Sequence, residues 1–93
     1  MSSFALHVPV DPQYRVLGPE IAGRYVDVLG GSDADKQALS AAVTEAMASV
    51  SRGASKDGQI GLKFSTDAAG IEVECNCAGR SSVVRHALAA AKR

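Results

Sequence analysis

The chain has 93 residues, of which 46% are hydrophobic and 22% charged, and its ten Lys and Arg balance ten Asp and Glu. That is one small domain, residues 1–93, with room for a single core. Zero net charge, no Trp, two Tyr and two Phe argue against a nucleic-acid binder built on a basic surface or on stacked rings.

No apolar run approaches the ~18 residues of a membrane span. Met1-Ser2-Ser3-Phe4 shows no signal-peptide pattern, so a cytoplasmic setting is expected. No repeat, linker or low-complexity tract interrupts the chain. Phe4, Leu6, Val8 and Val10 alternate with Ala5, His7 and Pro9, which predicts a half-buried strand. Pro9 has no N–H and marks it as an edge. Asp11-Pro12 reads as a helix start, and Tyr14, Leu17, Ile21, Tyr25 and Val28 fall on one stripe. Gly18-Pro19 inside that stretch predicts a kink or two short helices. Gly30-Gly31 stops it.

Ser32-x-x-Asp35 is a capping-box variant opening a second helix, with Leu39, Val43, Ala46, Met47 and Val50 as its buried stripe. It ends near Arg52-Gly53. Gln59 to Ser65 alternates with Ile60, Leu62 and Phe64 inward. A loop over residues 66–70 leads into a matching run with Ile71, Val73, Cys75 and Cys77 inward. Lys63 is placed to meet Glu72 or Glu74 across this pair. Ser81 or Ser82 is expected to cap a last helix, with Val84, Ala87, Leu88 and Ala91 on its apolar side. The expected fold is α+β, a two-layer sandwich in the order β-α-α-β-β-α. The helices cover one sheet face; His7, Lys63, Glu72, Glu74 and Asn76 line the wet one.

Residues 6–14, the link Leu29-Gly30-Gly31-Ser32-Asp33-Ala34-Asp35, Ala42-Val43-Thr44-Glu45-Ala46 and the following hairpin together resemble the bacterial anti-sigma-factor serine kinases. Those belong to the histidine-kinase-like (GHKL) ATPase superfamily. The resemblance spans about residues 4–79 and implies part of that ATPase fold. It places Glu45 at the N-box glutamate, but the Mg²⁺-ligating asparagine one turn on is Ser49. At the adenine-binding Asp-x-Gly, the chain has Cys77-Ala78-Gly79. The glycine is kept and the carboxylate is not, and a thiol accepts hydrogen bonds weakly. The glycine-rich lid has no counterpart.

Other residues read plainly. Cys75 and Cys77 lie two apart on one strand face, roughly 6.6 Å between Cα atoms, as small buried hydrophobes. His7 and His86 have no partner at a recognisable spacing. Ser81-Ser82 suits either a helix cap or an anion-binding helix start.

The function these residues imply is a non-catalytic regulatory module that binds a protein and has lost its nucleotide site. Glu45, Ser49, Cys77 and Gly79 are then vestiges, with no metal or cofactor expected. A sigma factor, an antagonist or a kinase homologue is the expected partner, and an open sheet edge predicts a homodimer. The alternatives are an ATP- and Mg²⁺-dependent serine kinase with an atypical site, and an unrelated structural or assembly domain.

Overall fold

The structure is a computed structural model that describes residues 2–55, 58–67 and 70–87. In chain order the elements are β1 (Ser2–Pro9), a 3₁₀ turn (Pro12–Tyr14), α1 (Leu17–Val28), α2 (Asp33–Val50), β2 (Gln59–Asp67), β3 (Gly70–Cys77) and β4 (Arg80–His86). The strands form one antiparallel sheet in the order β1-β2-β3-β4, and both helices pack on one face. The fold is an α+β two-layer sandwich. Among the described residues no helix is long and apolar enough to cross a membrane.

Alternation sets the sheet. Val8, Ile60, Leu62, Phe64, Ile71, Val73 and Cys75 all point inward and are almost fully buried. Their neighbours His7, Lys63 and Asn76 are exposed on the other face. Cross-strand register keeps like with like: Leu6 faces Leu62 and Leu62 faces Cys75. Lys63 lies opposite Glu74, while Glu72 pairs with Arg85 at 3.1 Å. The loop expected over residues 66–70 is shorter, because β2 runs to Asp67 and β3 begins at Gly70.

Helix α2 begins with the expected capping box. The Ser32 hydroxyl accepts the Asp35 N–H at 3.1 Å, and Asp35 Oδ2 accepts the Ser32 N–H at 3.0 Å. All five stripe residues, Leu39, Val43, Ala46, Met47 and Val50, are buried. The stretch does divide into two helical pieces, but the break falls at Arg15-Val16, between the 3₁₀ turn and α1; Gly18-Pro19 lies in the first turn of α1, where proline's missing N–H costs no intrahelical bond. The α1 stripe, however, is not the expected one. Ala22, Tyr25 and Val26 face the core, whereas Tyr14, Leu17 and Val28 are exposed. Apolar residues occupy two arcs of the helix, and the arc that packs inward is the one carrying Gly18 and Ala22. Gly18 shows why: a Cβ there would overlap Met47 Sδ and approach Leu62 Cδ1 to 3.3 Å.

The expected last helix is a strand, β4. Residues 88 and 91, on its supposed apolar side, lie outside the described residues. Ser82, Val84 and His86 point inward and Ser81, Val83 and Arg85 outward. Two β-branched residues favour this, and so does the otherwise unpaired edge of β3. The turn Ala78-Gly79 has positive φ at both positions, 52° and 84°, as a type I′ hairpin turn demands. With no helix there, Ser81-Ser82 neither caps one nor forms an anion-binding helix start.

Two consequences are measurable. Val43→Asp buries an unpaired charge and should cost about 4 kcal/mol or more, collapsing the thermal unfolding midpoint. An unchanged melt by circular dichroism would show that Val43 is not in the core. Ala78 holds a left-handed conformation that an L-residue with a Cβ disfavours. Ala78→Asn, which creates the preferred Asn-Gly turn, should raise stability by roughly 0.5–1 kcal/mol, a few degrees in melting temperature.

Candidate functional site

Helical spacing puts Glu45 and Ser49 one turn apart on α2, and both are exposed. With Ala42, Ala46, Ser82 and Val84 they line a shallow open groove of about 300 Å³ between α2 and β4. Ser82 enters this groove because β4 is a strand, so it could not be foreseen from a helical reading. Cys77 and Gly79 do not line it. Cys77 is buried at the end of β3, and Gly79 sits in the exposed turn beyond. The structure thus brings together Glu45 and Ser49, and leaves Cys77 and Gly79 apart from them. Among the described residues the groove offers one carboxylate and two hydroxyls, with no cationic side chain in its lining. That set accepts hydrogen bonds and favours a cation over a phosphate.

Buried Cys75 has little nucleophilic character to offer. Burial pushes the Cys75 thiol up to about 11, with the neighbouring Glu74 carboxylate adding to the shift. Cys75 therefore stays protonated at neutral pH. Among the described residues no cluster of three or more His, Cys, Asp or Glu is placed to hold a metal.

One polar cluster was not visible in the sequence. His86 Nε2 lies 2.8 Å from Asp35 Oδ1, although the residues are 51 positions apart. The expectation that His86 lacks an acidic partner is therefore corrected. Asp35 sits at the α2 N-terminus, and β4 carries His86 to it across the layers. Ser32 Oγ lies 3.1 Å from the other carboxylate oxygen. Serine, aspartate and histidine meet here, but in the wrong order for nucleophilic catalysis. The carboxylate stands between the other two, so the imidazole has no contact with the hydroxyl it would need to deprotonate. The arrangement is a clasp tying β4 to the helix cap. The Ser32 backbone N–H, and then His86, hold the Asp35 carboxyl below its ordinary value of 3.8.

No protein-family model matches the chain, and no curated protein matches it.

The clasp has a pH signature. A carboxyl whose value is lowered on folding stabilises the fold above 3.8 and loses that contribution as pH falls through its lower folded value. Asp35→Asn should therefore melt below the parent chain at pH 6, and the gap should close in strong acid. Ser32→Ala should cost about 1 kcal/mol through the lost cap. Melts at both pH values check both variants.

Proposed function

We propose that this chain is a non-catalytic regulatory module that acts by binding another protein. The observation that carries this reading is the separation of the four residues that would have formed a nucleotide site. Glu45 and Ser49 lie in the open groove beside edge strand β4, while Cys77 is buried and Gly79 turns away from it. An adenine acceptor and a phosphate-side metal ligand must converge on one ligand, and among the described residues lining the groove of Glu45 and Ser49, Cys77 and Gly79 are absent.

The same groove suits a protein. Glu45 presents a solvated carboxylate to a Lys or Arg of the partner. The outer edge of β4, with Val83 half-exposed, offers unpaired backbone groups to an added strand. The resemblance to anti-sigma kinases supplies the partner class: a sigma factor, its antagonist or a kinase homologue, met in the cytoplasm.

The test is thermal. Were ATP bound with a dissociation constant near ~100 μM, about 5 mM Mg-ATP would stabilise the fold by roughly 2.3 kcal/mol. In a domain this size that is a rise on the order of 10 °C. The expected result is no shift. A rise of that size, absent with Mg²⁺ and inorganic triphosphate, would overturn the reading in favour of an ATP-dependent kinase.

A further inference from the structure

We infer that the outer edge of β4 takes an extended segment of another protein in antiparallel register, with an apolar residue opposite Val83 and, directly after it, a Lys or Arg opposite Ser82. This rests on the protein-binding reading of the α2–β4 groove and specifies what that groove selects. β4 ends the sheet, and among the described residues no strand pairs with its outer edge. Such an edge binds by strand addition: backbone bonds give affinity, and alternate side chains give specificity.

The side chains above this edge come from α2. Lys36 and Ser40 turn toward α1, where they meet Asp27 and the Pro19 carbonyl. Ala42 and Ser49 lie about half a turn around the helix from Ser40, on the flank that faces the free side of β4. α2 runs opposite to β4: Asp35 near its start touches His86 at the strand's end, and Ser49 near its end shares the groove with Ser82. From Asp35 to Glu45 the helix advances about 15 Å, and from His86 back to Ser82 the strand covers about 13 Å. Glu45 therefore stands level with Ser82.

On an added strand, the residue opposite Ser82 points inward beneath α2. Its side chain passes the short side chains of Ala42 and Ala46 before it reaches Glu45 at the rim. Among the described residues no ion pair engages Glu45. A long apolar stem with a cationic head matches both surfaces, its methylenes on the alanines and its charge at the carboxylate. The preceding residue faces the other way, onto Val83, which is 50% exposed and suits a β-branched or aromatic neighbour. Every pairing in the sheet is antiparallel, and that direction sets the apolar residue before the basic one. A second copy is a poorer occupant. Pairing β4 with β4 about Val83 sets Val84 opposite Ser82 and brings two Glu45 carboxylates to one seam, where like charges repel.

The probe is the fluorescently labelled peptide Thr-Thr-Ala-Val-Lys-Thr-Thr, titrated with the full chain and followed by anisotropy. Replacing its Lys by norleucine should weaken binding about threefold, and replacing it by Glu about tenfold. With the exposed Glu45→Lys variant the order should reverse, the Glu peptide binding best. Methylating alternate peptide nitrogens should weaken binding in one alternate set and spare the other, since only one set faces β4. The reversed sequence Thr-Thr-Lys-Val-Ala-Thr-Thr, which would suit a parallel strand, should bind about tenfold more weakly than the probe. No binding by any peptide, indifference to the Lys, an order unchanged by Glu45→Lys, an equal response of both methylated sets, or preference for the reversed sequence would each overturn the proposal. So would a dimer in sedimentation velocity that the peptide splits, because a second copy would then hold the edge. The Mg-ATP melt reads the broader function separately, so a failed register and a failed protein-binding reading give different results.

Discussion

A sheet whose inner face is apolar across β1, β2 and β3 cannot leave that face in water, and the remaining architecture answers that constraint. Val8, Ile60, Leu62, Phe64, Ile71, Val73 and Cys75 bring apolar surface from three strands to one side, and Val84 of β4 packs against it. Two helices must cover it. With no Trp and only two Phe, the core cannot be filled by a few large rings. It is filled instead by close approach, with Gly18 and Ala22 letting α1 settle onto Met47 and Leu62. Phe4, Tyr25 and Phe64 pack their rings against one another where α1 meets β1 and β2. There the Tyr25 hydroxyl is hydrogen-bonded to Thr66, so its polar end is satisfied as its ring is buried.

Coverage by two helices is uneven, and that unevenness distributes the surfaces available for recognition. α2 lies over β3 and β4, and its hydrophilic side meets the edge strand in a shallow polar groove. α1 lies toward β1 and stops short of the edge. One margin of the sandwich thus carries a polar groove with Glu45 in its lining, and the other carries exposed apolar side chains.

What the sequence revealed depended on how local each determinant is. The α2 stripe and the β2–β3 hairpin were legible because a single periodicity fits each and a capping box or turn brackets it. The α1 helix was legible as a helix, yet its inward side was not, since two apolar arcs share one cylinder and only contact with Met47 and Leu62 decides between them. Residues 80–86 fit a strand template and a helix template equally well before the Ala-rich tail. The deciding term was the unpaired edge of β3, which no local window contains. The Asp35–His86 contact bridges 51 positions and had no sequence signal at all. Of the candidate site, the Glu45–Ser49 spacing was readable from helical geometry. Its neighbour Ser82 was not, because that required the strand.

The order in which the chain can assemble follows from the position of β1. Strands β2, β3 and β4 form a meander whose pairings are nearly local. Within the described residues β1 pairs only with β2, and Ser2 meets Thr66, 64 positions along the chain. Closing so long a loop is entropically costly and kinetically late. During synthesis β1 must therefore wait, unpaired, until the last residues of β2 leave the ribosome. A segment of alternating Phe, Leu and Val is in that interval an open template for any other strand. Its own final partner arrives only after both helices have been made.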